Sequence, residues 1–308
     1  MNSKNKYADI PLSKFSAVAP YFFLILHHQT TKKALTFVLT IIKKFFLLQW
    51  SKKLHIRKIP VIKVDTELDD RIPFSPDHVE DYMSFVAFFI RTFDMLKKRL
   101  GYKAAVPYMN EFLSFLINIY SNAAEIYNFS MSTTKRPKYL KNGKFVTIHL
   151  FDPHLLCVPS IHVSIAAGTF YFYRQLFKKG ILPQAEAEQR LAEIKKQAVA
   201  IIESVLFVKQ HSINCVPTAL YMISITSNKT MFPPEDAINF IEELFKTSTE
   251  ITDEDRNRLT EHFIYLYERT YLEGIVSDNW ATPIKHWLIA HAQKTNQNIP
   301  YSFTNDAF

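Results

Sequence analysis

Two histidines and a cluster of cations are the residues of this 308-residue chain best suited to chemistry. His162 and His211 each lie in a window of about nineteen residues, 155–173 and 210–228, that holds no Asp, Glu, Lys or Arg. Imidazole is the side chain that acts as acid, base or nucleophile near neutral pH. The 49 positions separating the two leave room for one helix, a loop and a returning helix, enough to bring the rings face to face. A lone His on an apolar helix is ordinarily a satisfied core residue, so it is the pairing that points to a site.

The cations lie in an irregular stretch at 128–159. Lys135, Arg136, Lys138, Lys141 and Lys144 fall within ten residues that contain no acid. Such a cluster can hold a phosphate through charge-assisted hydrogen bonds, and it has equally the composition of a solvated basic loop. Other chemistries are poorly served. Five Gly argue against Gly-rich phosphate loops, two Cys cannot make a disulfide framework, and neither a CxxC nor an HExxH zinc pattern occurs.

Four motifs follow in order: Asp69-Asp70-Arg71-Ile72-Pro73-Phe74-Ser75-Pro76, Lys135-Arg136-Pro137, Val158-Pro159-Ser160-Ile161-His162-Val163, and Val208-Lys209-Gln210-His211. Their order and separation resemble the type 2 phosphatidic acid phosphatase (PAP2) superfamily, which also contains bacterial acid phosphatases and vanadium haloperoxidases. The PSxHV and KQH forms look like the branch where inositol-phosphorylceramide-synthase-like lipid enzymes belong. The resemblance covers roughly residues 65–225. It implies that His211 attacks phosphorus to form a phosphohistidine and that His162 protonates the leaving alkoxide. It also implies that Ser160 and Arg136 bind phosphate oxygens, with no metal or other cofactor required.

The chain departs from that pattern at three positions. The Lys expected seven residues before Arg136 is Phe129, which leaves Lys135 or Lys138 to reach the same oxygens. The Arg expected six residues before His211 is Val205, with Lys209 as a substitute point charge lacking the guanidinium fork. The Asp expected four residues after His211, on the same helical face, is Cys215. A thiol accepts hydrogen bonds poorly and brings no charge, so Glu203, Asp152 or Asp278 would have to replace that Asp. Cys157 and Cys215 open similar tetrapeptides, each near a motif His, and read as inert buried thiols rather than a redox pair.

The elements that position these residues are predicted to be helices. Tyr82, Val86, Phe89, Phe93 and Leu96 form one apolar stripe over 78–100. Met109, Phe112, Leu116, Ile119 and Ala123 form a second, with Pro107 in the first turn. Residues 184–208 make a third. Pro234, the capping box Thr252-Asp-Glu-Asp255 and Pro283 open further helices near the C-terminus. Strand alternation is confined to 56–64 and 144–150. The expected fold is all-α, a PAP2-like helical bundle with additional C-terminal helices.

Charge divides the chain into three. Residues 1–63 carry a net +11, 64–231 a net +4 and 232–308 a net −7. The resulting boundaries are a basic, aromatic-rich arm (1–63), a PAP2-like helical domain (64–231) and an acidic helical extension (232–308) packed on the same domain. The arm's Lys pairs and Phe/Leu/Ile blocks suit an interfacial helix on an anionic membrane, or a helix packed on the core with its lysines in water. They suit nucleic acid poorly. The expected protein is thus a metal-independent phosphatase or phosphotransferase for a lipid-linked or hydrophobic phosphate ester. It is membrane-associated, peripheral rather than multi-pass, on the cytoplasmic face. The alternative is a catalytically degenerate protein that binds lipid phosphate or a partner without turnover.

Overall fold

The computed structural model describes residues 7–227 and 231–298. The first six residues of the basic arm and the last ten of the acidic segment therefore lie outside the described residues. The fold is all-α. Helices α1 (Ala19–Leu26) and α2 (His28–Ile41) open it, and α2 runs through a π-helical turn, Ile42–Phe46, into α3 (Leu47–Lys53). The long helices follow: α4 (Val79–Leu100), α5 (Tyr102–Phe129), α7 (Ile161–Lys178) and α8 (Gln184–Phe207), with the short α6 (Gly143–Phe151) between α5 and α7. Helices α9 (Cys215–Thr226), α10 (Pro234–Ile241), α11 (Asp253–Val276) and α12 (Thr282–Lys294) complete the described chain.

The long helices bury most of the stripe their sequence carries; on α4 the expected Val86 is exposed and Phe85 takes its place in the core. Helix α4 turns Tyr82, Phe85, Phe89, Phe93 and Leu96 inward and joins α5 through Gly101. At φ +82° that residue holds a conformation that costs a side-chain-bearing residue more than glycine, and its N–H still caps the Lys97 carbonyl. Helix α5 starts at Tyr102, so Pro107 lies inside it rather than in its first turn. The missing proline N–H leaves one carbonyl near the helix start without an i+4 donor, a small loss for a long apolar stripe. Of the capping box expected at Thr252 the N-cap half is present: the Thr252 hydroxyl accepts the Asp255 N–H at 3.1 Å and donates to the Asp255 carboxylate at 2.9 Å. One hydrophobic core runs from Leu12 to Ala292, drawing on the arm, the central helices and the C-terminal helices together.

The strand reading of 144–150 is corrected by α6. Only Phe145 and Ile148 of that helix are buried, an i, i+3 pair. Of 56–64, only Val61–Lys63 forms a strand, β1. It pairs in parallel with β2 (Met131–Thr133), Val61 opposite Met131. This two-stranded ladder matters out of proportion to its length, because it brings the chain after residue 63 and the chain after residue 133 to one place. Ser132 then extends the contact: its N–H bonds the Leu155 carbonyl and its hydroxyl accepts the Val158 N–H at 2.7 Å.

Candidate functional site: a histidine pair between two cavities

Ser160 is the N-cap of α7, its hydroxyl accepting the Val163 N–H at 3.3 Å, so the PSxHV motif is a helix start. That places His162 in the first turn of α7, at the positive end of the helix dipole. Its ring lies between two side chains from α4, stacked on Tyr82 at 4.8 Å and tilted against Phe85 at 4.4 Å. Burial, with a smaller contribution from His211, holds His162 well below the usual imidazole range.

The KQH motif ends α8. The Lys209 N–H bonds the Leu206 carbonyl and the Gln210 N–H bonds the Val205 carbonyl, the Schellman pattern, with Lys209 at φ +53° where glycine is usual. A lysine there costs about 1 kcal/mol of backbone strain. Its ammonium donates to the carbonyls of Asp69 and Ile72, which offsets that cost and ties the 69–72 turn to the motif. Asp69 adds a second tie, accepting from the Ser212 hydroxyl (2.9 Å) and the Ile213 N–H (2.8 Å). The Asp-Asp-Arg segment of the sequence is therefore a brace for the turn that carries His211.

His211 is held on both ring nitrogens. Nδ1 lies 3.2 Å from the Cys157 carbonyl, and a carbonyl only accepts, so Nδ1 carries the proton and Nε2 presents its lone pair. Nε2 is 3.4 Å from the Ser160 hydroxyl. The rings of His162 and His211 lie 5.4 Å apart at 65°, the convergence expected from their spacing. Burial pulls His211 down to about 4, leaving it neutral, the nucleophilic form, at physiological pH.

Arg136 joins the pair through Gln210, donating from Nη1 to Gln210 Oε1 at 3.1 Å, and it reaches the Asp152 backbone carbonyl from both terminal nitrogens at 3.4–3.5 Å. Its guanidinium and His211 line one side of a cleft of about 310 Å³, with Lys135 exposed at the rim. Asp65, Asp69 and Asp70 line the same cleft, so its cations are largely matched by carboxylates. Lys209 also borders it, but its ammonium is engaged by backbone carbonyls, so the substitute phosphate ligand expected from sequence is a structural tie instead.

The orienting position also differs from expectation. His211 lies in the turn before α9 and Cys215 is the first residue of α9, so the two do not share a helical face. The Cys215 thiol is hydrogen-bonded to Ser160, and both cysteines are free, buried and pushed up by burial, which keeps them protonated. Of the candidate carboxylates, Asp152 alone is at the site, 4.0 Å from Arg136. Glu203 accepts the Phe245 N–H, and Asp278 is exposed in the turn between α11 and α12. The replacement for the expected Asp is the Cys157 carbonyl, fixed by β2: the Cys157 N–H bonds the Ser132 carbonyl at 3.2 Å.

Two cavities flank the pair beyond the cleft. One of about 300 Å³ is lined almost wholly by apolar side chains of α1, the α2–π segment, α4 and α5, among them Phe37, Phe45, Phe46, Phe89 and Tyr120, and it ends at Ile161 and His162. The other, of about 20 Å³, lies between His162 and His211 and includes Asp152, His154 and Gln210 in its wall. The apolar cavity and the small cavity share Ile161 and His162 in their walls, and the small cavity and the cleft share His211, so the three adjoin in series along the histidine pair. Tyr82 showed in the sequence only as part of an apolar stripe, Phe85 fell outside that stripe, and His154 gave no signal. Compared with models of protein families, with curated proteins and with solved structures, the chain finds no match, so this geometry alone must carry a functional reading.

Proposed function

We propose that the protein is a metal-independent phosphatase or phosphotransferase of PAP2 type, acting on a lipid-linked or other hydrophobic phosphate ester through a phosphohistidine on His211. The observation that carries this reading is the lone pair of His211 Nε2, aimed toward Ser160 and His162 by the proton that Nδ1 shares with the Cys157 carbonyl. In this reading the Nε2 lone pair attacks phosphorus, the P–O bond to the leaving alkoxide breaks, and protonated His162 supplies its proton. His162 borders the apolar cavity, so the leaving alkoxide is the side of the ester that bears the apolar chain. Ser160 and Arg136 hold phosphate oxygens, and Lys135 adds charge at the rim.

The second reading, a degenerate site that binds lipid phosphate without turnover, draws on two observations. Among the described residues no carboxylate is hydrogen-bonded to His211, and burial keeps His162 neutral where a general acid must carry a proton. A bound phosphate dianion beside the ring opposes that burial effect, so the enzymatic reading requires phosphate binding and His162 protonation to be coupled. Phosphate release from a panel of lipid and soluble phosphomonoesters, run beside His211→Ala, separates the readings. The enzyme loses at least about 10³-fold of its rate in the variant. Equal background release from both proteins on every substrate, with lipid phosphate still bound, leaves the degenerate site standing.

A further inference from the structure

The acidic extension reaches the site through a histidine that the motif pattern does not include. His262 of α11 lies outside the 65–225 stretch that resembles PAP2, and its Nε2 is 2.8 Å from the Oδ1 of Asn214, in the turn that carries His211. Asn214 is buried, and its amide can face only one way. Its Nδ2 lies 2.9 Å from the Val64 carbonyl, and a carbonyl only accepts, so the NH2 end is turned to Val64 and the oxygen end to His262. An amide oxygen accepts in turn, so His262 Nε2 carries the proton and donates it. Burial holds His262 below the usual imidazole range, which leaves the neutral ring a single N–H, committed to this bond. Without that donor the Asn214 oxygen is buried unpaired, and the amide regains a partner only by giving up Val64.

Val64 is no arbitrary anchor. It continues β1, and its N–H bonds the Thr133 carbonyl at the end of β2. The same β2 holds the Cys157 carbonyl through Ser132, and that carbonyl fixes the tautomer of His211. The Ser212 hydroxyl is also 2.9 Å from the Val64 carbonyl. Asn214 and Ser212 thus fasten the backbone after His211 to the two-stranded ladder that carries the ring's acceptor, so one frame sets both ends of the 3.2 Å Nδ1 contact. The extension clamps that ladder a second time beyond α11. His291 Nε2 and Gln297 Nε2 reach the Lys63 carbonyl at 3.1 and 2.7 Å, and Gln297 Oε1 accepts the Lys63 N–H at 2.8 Å. We propose that His262 is a positioning residue for the nucleophile. By fixing the Asn214 amide it keeps the His211 turn in register with the ladder, which holds Nδ1 on the Cys157 carbonyl and the Nε2 lone pair on the reacting phosphorus. The consequence for the rate rests on the phosphohistidine reading above, whereas the placement of the ring does not.

Nitrogen NMR of the full chain, isotopically labelled at histidine, reads the tautomer of each ring at neutral pH, with His211→Ala and His262→Gln assigning the two signals. Wild type is expected to show His211 as the Nδ1–H form and His262 as the Nε2–H form. His262→Phe keeps a ring and removes the donor. In that variant His211 is expected to populate both tautomers, and turnover of dioctanoyl phosphatidate is expected to fall about tenfold in kcat with KM unchanged. His262→Gln, whose amide can donate to Asn214, is expected to return the single tautomer and a kcat within about twofold of wild type. A His262→Phe protein that melts earlier yet keeps the single His211 tautomer and the wild-type kcat would mark a merely structural residue and overturn the assignment. Should His262→Phe fail to fold, the wild-type spectrum and His262→Gln decide: an Nδ1–H form at His262 removes the bond to Asn214, and a second His211 tautomer in His262→Gln shows that a donor alone does not hold the turn. Either result overturns the assignment. The expected tautomers with no phosphate release by wild type on any phosphomonoester would sink the phosphohistidine reading and leave the positioning of the ring standing.

Discussion

A backbone carbonyl can hold the proton of an imidazole in place, but it brings no negative charge to the ring. That difference defines the chemistry at His211, where the Cys157 carbonyl stands in for the carboxylate the motif pattern would put there. The carbonyl fixes the tautomer and aims Nε2; in the proposed reaction, stabilisation of the charged phosphohistidine would fall to other groups. Restoring an Asp at 215 is the obvious repair from sequence, and the structure argues against it. Cys215 is fully buried and its thiol meets Ser160, so a carboxylate there would be desolvated beside the wrong residue. Cys215→Asp is therefore expected to lower stability by about 3 kcal/mol without raising the rate, measured by thermal unfolding and phosphate release together. A rate gain would show that the residue 215 side chain reaches His211. The sequence held the two histidines, Ser160 and Arg136, because their chemistry is carried by side-chain type. It could not hold the Cys157 carbonyl, a group that every residue possesses.

Helices with long periodic stripes were legible for a related reason: burial of one face writes a 3.6-residue period over many turns, as in α4 and α8. Helix α6 buries only Phe145 and Ile148, and two buried positions cannot separate a helical period from strand alternation. The brace around the KQH turn was also illegible, since it joins Asp69 to residues more than 140 positions away. One such long-range tie has a measurable consequence at pH. The Glu203 carboxyl of α8 accepts the Phe245 N–H in the turn after α10, and burial pushes it up to about 7. Unfolded, a Glu releases its proton near about 4.3. Between those values the folded protein holds a proton that the unfolded chain has lost, so stability falls as pH rises from about 4 to about 7 and levels off above. Glu203→Gln keeps an acceptor for Phe245 and removes the titration. Denaturant melts across that range should show a flatter pH profile and, at pH about 8, a gain of about 2 kcal/mol over wild type. Parallel profiles would mean that Glu203 is ionised in the folded state throughout.

At the scale of the whole molecule, charge and apolar surface are arranged about the same series of cavities. The segment His28–Lys53 is long and apolar enough to cross a membrane, with a mean hydropathy of 1.3 over its best window, and only 28% of that window is buried. Its buried side, with Ala34, Phe37 and Leu48, packs on the core, while Leu35, Leu39, Ile42, Phe46 and Leu47 face outward among Lys32, Lys33, Lys43 and Lys44. Phe22 and Leu26 of α1 and Leu150 and Phe151 of α6 are exposed as well. Tyr21, Val38, Phe46 and Val86 are at once exposed and part of the wall of the apolar cavity, so that cavity opens among these outward-facing residues. We propose that this face lies on an anionic lipid surface. The basic arm then meets the lipid and an acyl chain passes directly from bilayer to His162. Each lysine near such a surface contributes about 1 kcal/mol, screened by salt, and each apolar side chain adds an increment that salt leaves unchanged. Sedimentation with phosphatidylserine-containing vesicles should therefore exceed that with phosphatidylcholine alone, fall as salt rises, and drop more than about tenfold when Phe22, Leu39 and Phe46 are together replaced by Ser. Protein that stays on the vesicles through washes in both high salt and alkaline carbonate would instead make His28–Lys53 an inserted span. The surface now assigned to the interface would then lie within the bilayer.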